Sequence, residues 1–186
     1  MQITLLAAVS LDGFIANDMG QGNFSSPEDK AHLRFFLRST ACDCFICGRK
    51  TAREFQSKLS FKPLLTFTRT PQPPQANRMD FTNWEDLNRL LLLKGLNAPA
   101  LLGGAETYAY FLENKLVDRV ILTTENLRFY RGKSLDFQRF QSGFTLEKTD
   151  HLSDRTFVSY YQKKNPTRPA RGTSQDGRSP HATGYA

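Results

Sequence analysis

The chain has 186 residues, 39% of them hydrophobic and 12% aromatic, which is enough for one sizeable core and short for two domains. No apolar run reaches the roughly 18 residues of a membrane span, and no basic leader opens the chain, so we expect a soluble, cytoplasmic protein with no membrane partner. The formal net charge is +7, but residues 163–186 carry +4 of it, and the small remainder argues against a nucleic-acid-binding body.

The first predicted element is a strand buried on both faces, because Ile3–Val9 is an almost unbroken apolar run. A loop rich in Gly, Asn and Ser follows over residues 20–26. Ser26 then supplies an N-cap and Pro27 a first-turn proline, so we expect a helix to begin here and to continue to about Ser39.

From residue 43 to residue 124 the chain alternates between short apolar runs and helical segments. This order requires crossover connections, and crossovers join parallel strands. We expect prolines after residue 70 to enforce a loop. The predicted strands cover residues 43–48, 63–68, 79–81, 99–102 and 117–124, and the predicted helices cover residues 50–55, 82–94 and 105–116.

The pattern changes after Gly132 to alternating segments near residues 144–148 and 156–162, joined by a polar turn at 150–154. These segments predict an antiparallel hairpin that completes the sheet. The predicted fold is therefore an α/β three-layer sandwich, with a mostly parallel central sheet, flanking helices and a C-terminal antiparallel hairpin. The hairpin carries four large apolar side chains, which indicates a homodimer unless the sheet is covered on both sides: Phe157, Val158, Tyr160 and Tyr161.

We divide the chain into one domain over residues 1–164 and a disordered basic tail over residues 165–186. Pro, Gly, Arg, Ser and Thr dominate the tail, and no hydrophobic period survives there. A nucleic-acid partner would depend on this tail alone, so the expected partner is a small molecule.

Three cysteines form the pattern C-x-C-x-x-C at Cys42, Cys44 and Cys47. A closed zinc or iron–sulfur site needs four ligands, and the only further candidate nearby is His32. Cys44 and Cys47 fall inside an apolar strand, where cysteine packs as a small hydrophobe. We therefore expect no metal site.

A strand ends at Gly48 and a helix start follows with two cations and a hydroxyl, Arg49, Lys50 and Thr51. Glycine lets a ligand approach the backbone, and unpaired amides at a helix start bind anions. The spacing is not that of a P-loop, so nucleoside triphosphate hydrolysis is not implied. The alternative is a plain strand-to-helix turn with a solvated Arg-Lys pair.

A second strand-to-helix turn, Gly103-Gly104, repeats this arrangement at the end of another parallel strand, where open parallel sheets bind ligands. Tight packing would equally explain two glycines here. Thr68 and Arg69 end a third strand, and a hydroxyl with a guanidinium suits an adenosine 2′-phosphate. Two anion sites on one sheet indicate a dinucleotide, and the third strand end favours NADPH over NADH.

With these motifs in order, the chain resembles the dihydrofolate-reductase-like superfamily, and within it the riboflavin-biosynthesis reductase (RibD C-terminal) family. Residues 8–16 resemble the family's opening Ser-Leu-Asp-Gly motif, residues 42–51 its aspartate-strand-glycine-x-x-threonine segment, and residues 102–107 its Gly-Gly turn. The resemblance covers about residues 2–163.

The resemblance implies that NADPH is held by the two glycine turns and the Thr-Arg strand end. The cofactor-binding candidates are Gly48, Arg49, Lys50, Thr51, Thr68, Arg69, Gly103, Gly104, Ala105, Glu106 and Thr107. It also places the Ser-Leu-Asp-Gly loop beside the nicotinamide and the substrate. The substrate-side candidates are Ala8, Ser10, Gly13, Ser25 and Ser26, and Asp12 is the candidate catalytic residue, to bind or protonate the substrate. Asp12 is alternatively an ordinary turn aspartate.

The chain departs from the riboflavin branch at residues 23–26, where Asn-Phe-Ser-Ser replaces a Trp-Ile-Thr-Ser-like segment that helps to bind the ribose phosphate. Dihydrofolate reductases place a carboxylate on the first long helix, facing the pterin. Here His32 falls near that position, and Glu28 and Asp29 lie at the helix start. Folate reduction requires one of these residues to substitute.

The resemblance implies an NADPH-dependent oxidoreductase that transfers hydride to the ribose C1 of an aminopyrimidine, as 5-amino-6-(5-phosphoribosylamino)uracil reductase does, or to a related small substrate. The chemistry then belongs to the nicotinamide, and the protein supplies orientation and electrostatics. The alternatives are pterin reduction of the dihydrofolate reductase type and an NADPH-binding module without catalysis.

Overall fold

The computed structural model of the chain describes residues 1–22, 24–73 and 77–164. The predicted tail over 165–186 and Asn23 of the departing segment lie outside the described residues. The strands are β1 Thr4–Ser10, β2 Phe14–Asn17, β3 Cys44–Gly48, β4 Leu64–Phe67, β5 Arg78–Phe81, β6 Pro99–Leu101, β7 Arg119–Glu125, β8 Gly132–Ser134, β9 Phe144–Ser153 and β10 Thr156–Lys163. The helices are α1 Pro27–Arg38, α2 Arg49–Phe55, α3 Trp84–Lys94, α4 Ala105–Glu113 and α5 Phe137–Phe140.

Eight of these strands form one sheet in the order β5-β4-β3-β6-β1-β7-β10-β9. The neighbours from β5 to β7 are parallel, whereas β10 is antiparallel to both β7 and β9. The predicted α/β sandwich with a mostly parallel sheet and a C-terminal antiparallel hairpin is confirmed. In the described ranges, no helix combines the length and apolarity that crossing a membrane requires.

The sheet separates two hydrophobic cores, because alternate residues of each buried strand point to opposite faces. Ile46 of β3 packs in one core with Leu87 of α3 and Phe111 of α4. Phe45, its neighbour in β3, packs in the other with Leu37 of α1. Both faces of the central strands are therefore buried, as their unbroken apolar sequence predicts.

The three cysteines belong to these cores. Cys44 lies in the first and Cys42 and Cys47 in the second, and all three are buried with free thiols. Burial raises the pKa of the Cys47 thiol to about 12. Each cysteine thus packs as a small, protonated apolar side chain.

The C-terminal hairpin differs from the prediction in its turn. β9 continues to Ser153, and only residues 154 and 155 connect it to β10. The residues predicted as turn pair instead with β10, since Asp150 lies opposite Val158 and His151 opposite Phe157.

The side chains that suggested a dimer have partners within the chain. Val158 is buried in the α1 core and Tyr161 in the opposite core, where it packs against Phe137. Tyr160 packs against the α1 core, and Phe157 lies beside His151. Because all four residues have contacts within the chain, they do not require a second copy, and the homodimer stays a prediction.

Candidate cofactor and substrate cleft

A cleft of about 1750 Å³ opens at the carboxyl ends of β1, β3, β4 and β6. The parallel topology produces it, because strand ends that point the same way bring their following loops to one edge of the sheet. α1 forms one wall of the cleft, and the starts of α2 and α4 border it. The cofactor-side candidates that line it are Gly48, Arg49, Lys50, Thr51, Thr68, Arg69, Gly104, Ala105, Glu106 and Thr107.

The two glycine turns contact each other directly. The Gly48 N–H donates a hydrogen bond of 2.6 Å to the Gly103 carbonyl. A Cβ at Gly48 would lie 2.6 Å from the Thr107 hydroxyl, and a Cβ at Gly103 would lie 2.8 Å from the Tyr108 ring. Gly103 also has φ +98°, which favours glycine. Packing within the protein is therefore sufficient to explain both glycines, which is the alternative that the sequence analysis left open for the Gly103-Gly104 turn.

The helix starts beside these turns leave their amides available. Gly48 is the N-cap of α2 and Gly104 that of α4, and neither helix has a side-chain cap hydrogen bond. A Cβ at Gly104 would lie 3.5 Å from the Thr51 hydroxyl, so the two starts are adjacent. Two neighbouring helix starts without a capping acceptor fit the paired phosphates of a dinucleotide.

Two arginine side chains, Arg49 and Arg69, lie at the β4 end of the cleft. Arg49 donates a hydrogen bond of 3.3 Å to the Thr70 hydroxyl, and Arg69 is exposed on the same loop. The Thr68 hydroxyl bonds the backbone of Thr70, so it orders the loop. Asp80 accepts a hydrogen bond of 2.9 Å from the Gln72 N–H and fixes the end of the loop. The Asp80 carboxylate is itself paired with Arg78 at 3.0 Å.

In the Ser-Leu-Asp-Gly loop, the carboxylate of Asp12 is hydrogen-bonded to groups of the protein itself. The Asp12 carboxylate accepts hydrogen bonds of 2.6 Å from the Ser10 hydroxyl, 2.8 Å from the Tyr130 N–H and 3.3 Å from the Phe129 N–H. Partial burial acts to raise the pKa of Asp12, but these hydrogen bonds outweigh it and lower the pKa. Asp12 and Ser10 are not among the residues that line the cleft, because the two N–H groups of residues 129–130 hold the carboxylate there and Ser10 is bonded to it.

The other substrate-side candidates divide between cleft and framework. Ala8 and Ser25 line the cleft. Gly13 has φ +84° in the tight turn after β1, and its N–H bonds the Ser10 carbonyl at 2.9 Å. Ser26 caps α1, since its hydroxyl accepts from the Asp29 N–H, and its own N–H donates to Glu125 at 2.7 Å.

Asp29, which the sequence offered only as a candidate for pterin reduction, lies in the wall of the cleft. It is 4% exposed and lines the cleft, and among the described residues its carboxylate has no hydrogen-bond partner. The hydroxyl of Tyr108 donates to the Leu6 carbonyl at 2.5 Å. Burial raises the pKa of Tyr108, and the charge of Asp29 contributes to the rise.

The sequence contained a signal for Asp29. It shares a stripe of α1 with Leu33 and Leu37, at i, i+4 and i+8, and this stripe faces the sheet. A carboxylate on the apolar stripe of a helix is predicted to be buried, and burial of a charge is unfavourable unless a hydrogen-bond partner is present. Thr123 of β7, buried and lining the cleft, carried no comparable signal.

Comparison with protein-family models and with curated proteins finds no match to this chain. Comparison with solved structures finds a candidate riboflavin biosynthesis protein from Shewanella sp. PV-4, with 21% sequence identity and a TM-score of 0.68. The likeness covers 89% of this chain and 100% of that one.

A second solved structure is the diaminohydroxyphosphoribosylaminopyrimidine deaminase/5-amino-6-(5-phosphoribosylamino)uracil reductase of Thermotoga maritima, with 15% identity and a TM-score of 0.70. The likeness covers 88% of this chain and 56% of that one, so this chain spans about half the length of the two-activity protein. The chain therefore has the dihydrofolate-reductase-like α/β fold that its motifs predict, in the form found in these riboflavin-biosynthesis proteins.

Proposed function

We propose that the chain is an NADPH-dependent oxidoreductase resembling 5-amino-6-(5-phosphoribosylamino)uracil reductase. Its reaction would transfer hydride to the ribose C1 of an aminopyrimidine or to a related small substrate. One observation carries the proposal: a single cleft joins two adjacent helix starts without a side-chain cap, a cationic strand end and the carboxylate of Asp29 in its wall.

The cofactor side of the cleft fits a dinucleotide phosphate. The amides at the starts of α2 and α4 would hold the pyrophosphate, and Arg49 with Arg69 would pair with the adenosine 2′-phosphate. When bound, the nicotinamide supplies the hydride. The remaining work of the protein is to orient two ligands in one cleft and to exclude water around them.

On the substrate side, Asp29 supplies a charged acceptor. A largely buried carboxylate gains from hydrogen bonds, so a ligand with N–H donors would make a charge-assisted contact with it. An aminopyrimidine ring offers such donors. Ala8 and Ser25, which line the same cleft, complete the substrate candidates.

Asp29 also supports a second function, reduction of a pterin. Dihydrofolate reductases, which the chain resembles, have a carboxylate on the first long helix that faces the pterin. Pterin reduction by this chain would need a carboxylate at the corresponding place in the cleft. Of the three candidates there, Glu28 is exposed, His32 is bonded to Tyr160, and Asp29 is buried in the cleft wall. A pterin presents a ring N–H and an amino group that suit a carboxylate.

The substitution Asp29→Asn tests the substrate side, since it keeps the shape and removes the charge. We expect the wild-type protein to consume NADPH with the phosphoribosylamino-pyrimidine or with dihydrofolate. Asp29→Asn should lower kcat/KM for that substrate by about 10- to 100-fold, the value of a charged hydrogen bond. Loss of NADPH absorbance measures the rate.

Glu28→Gln is the matched control, because Glu28 is exposed on the same turn of α1. It should leave turnover unchanged. Tight NADPH binding with no consumption on either substrate would contradict the reductase and favour a binding module. Full turnover by Asp29→Asn would contradict the role proposed for the carboxylate but not the proposed reductase activity.

A further inference from the structure

The two edge strands of the eight-stranded sheet differ in length. β5 closes one side of the sheet with four residues, whereas β9 closes the other side with ten. An edge strand pairs along one side only, so its outer N–H and C=O groups can pair with another chain, and proteins commonly keep such strands short or covered. Residues 145–149 and 151 of β9 are exposed. Within the described chain, this long edge is therefore open to a further strand.

The middle of β9, residues 148–151, pairs in step with β10, whereas the register shifts at both ends of this stretch. Residues directly opposite each other in neighbouring strands have their side chains on the same face. Asp150 lies opposite Val158, which is buried in the α1 core, and Lys148 lies opposite Tyr160, which packs against the same core. Both charged side chains therefore lie on the α1 face, where the Lys148 Nζ is 2.6 Å from the Asp150 carboxylate.

Symmetry limits how two copies of β9 can pair. Two antiparallel copies of one strand are related by a two-fold axis normal to the sheet, which is the isologous arrangement of most protein dimers. Residues that meet across the pair must lie on the same face, and side chains alternate between faces along a strand. The axis therefore passes through a residue of the stretch and not between two residues.

Charge distinguishes the four residues through which the axis can pass. With the axis at Thr149, each Lys148 lies opposite Asp150 of the second copy, so two pairs of opposite charges form. With the axis at Lys148 or at Asp150, two like charges meet, which is destabilising. With the axis at His151, Asp150 lies opposite Leu152 and gains no ion pair. The stretch is thus complementary to itself in one register.

We propose that β9 is the surface through which two copies of this chain associate, as an antiparallel strand pair with its two-fold axis at Thr149. The charges complement their own reversed sequence, which identifies the strand added at this edge as a second copy. The residues of β9 do not line the cleft, so both clefts stay open and association does not depend on the reductase activity. The predicted homodimer thus rests on the outer edge of the hairpin and not on its four large apolar side chains.

Two opposite charge changes test this register. Lys148→Asp gives the stretch two negative charges, and Asp150→Lys gives it two positive charges. Each variant alone places like charges across the axis, so we expect its dimer dissociation constant to be at least about tenfold above that of the wild type. An equal mixture of the two variants places opposite charges at both symmetric positions, so we expect a heterodimer with nearly the wild-type constant. Sedimentation equilibrium of the full chain measures each constant.

The mixture separates contact between copies from the ion pair within the chain. Each variant lacks the Lys148–Asp150 ion pair in the mixture as it does alone, so recovery on mixing can come only from contact between chains. Asp154→Lys is the matched control, because it makes the same charge change in the exposed turn beyond β9, and it should leave the constant unchanged. Unchanged constants in both single variants, or no recovery on mixing, would overturn the contact at Thr149.

A measurement on the wild-type chain covers the case in which a variant does not fold, which thermal unfolding detects. The N–H groups of residues 148–150 that point outward from the sheet should exchange more slowly with solvent as the protein concentration rises, because pairing buries them. Fast exchange of these groups at every concentration would contradict association through β9. A wild-type chain that sediments as a monomer at its highest soluble concentration would do the same.

Discussion

Gly48 lies where a side chain would collide with the neighbouring glycine turn. Its φ of −73° and ψ of 160° are open to any residue, so the requirement is steric and not conformational. The collision would be with the Thr107 hydroxyl, 2.6 Å from a Cβ at this position. The first turn is thus shaped by the second, which explains why two sequence motifs more than fifty residues apart occur together.

We predict that Gly48→Ala destabilises the protein by about 1–3 kcal/mol, the usual cost of overpacking. Because one hydroxyl causes the collision, Thr107→Ala should restore part of this loss in the double variant. Chemical denaturation measures both. Gly143→Ala is the control, since a Cβ there meets nothing within 4 Å. An equal loss in the single and double variants would contradict this steric explanation.

Asp12 illustrates a residue whose role depends on distant donors. Its pKa is lowered, so its hydrogen bonds contribute fully above the ordinary pKa and are lost as the pH falls through the lower folded value. We predict that the Tyr130 N–H exchanges faster with solvent over the pH range that runs from the ordinary aspartate pKa of about 3.9 down through the lowered pKa of Asp12, after correction for intrinsic exchange. Asp12→Asn should show fast exchange across this range and unchanged NADPH affinity.

The outcome for Asp12→Asn also decides between its two roles. Hydrogen exchange of Tyr130 that stays slow, together with a large loss of kcat, would indicate a residue that acts on the substrate. The sequence favoured that role, since an Asp-Gly pair at the end of a buried strand shows no sign of the N–H groups more than a hundred residues away that occupy the carboxylate.

At the scale of elements, α1 forms one wall of the cleft and is held at both ends. At its start, Glu125 accepts from the Ser26 N–H at 2.7 Å and from the Thr156 hydroxyl at 2.8 Å. At its end, the Lys62 ammonium donates to the carbonyls of Leu37, Ser39 and Cys42 at 2.6–2.7 Å. These contacts fix where Asp29 and His32 stand relative to the sheet.

We predict that Lys62→Met lowers the free energy of unfolding by about 1–3 kcal/mol. It keeps the apolar stem but leaves three carbonyls at the helix end without their cation. Lys58→Met is the matched control, because Lys58 is exposed and rests on the Phe55 ring, 5.5 Å from its centre. Urea denaturation compares the two, and equal small effects would show that Lys62 does not fasten α1.

Elements with local signals were predictable, and elements without them were not. α1 begins at the predicted cap because Ser26 and Pro27 mark the start in the sequence itself. The pair β2 and β8 escaped prediction, since β8 has three exposed polar residues and β2 only four residues. The turn of the C-terminal hairpin was misplaced because the end of β9 is polar on a sheet edge, where strand and turn compositions overlap.

For the whole molecule, the parallel topology converts separate sequence motifs into one cleft. The segments after β3, β4 and β6 meet only because their strands point the same way, and alternation of strands and helices made this predictable. Burial was harder to foresee. Asp29 was visible as an acid at a helix start, but its lack of a partner within the described chain depends on how α1 lies on the sheet.

The central claim for the whole molecule is that the cleft binds NADPH. We expect Arg49 and Arg69 to determine the preference for NADPH over NADH. Their guanidinium groups suit a 2′-phosphate, which only NADPH carries. Replacing both with alanine should remove a preference for NADPH and leave NADH affinity unchanged. Arg53→Ala, an exposed change in the last turn of α2, serves as the control.

The most direct measurement is a calorimetric titration of the purified protein with NADPH and with NADH. We expect NADPH to bind at least about tenfold more tightly, and we expect the Arg49→Ala/Arg69→Ala variant to bind the two alike. Equal affinities in the wild-type protein, or tighter binding of NADH, would contradict the assignment of this cleft to NADPH.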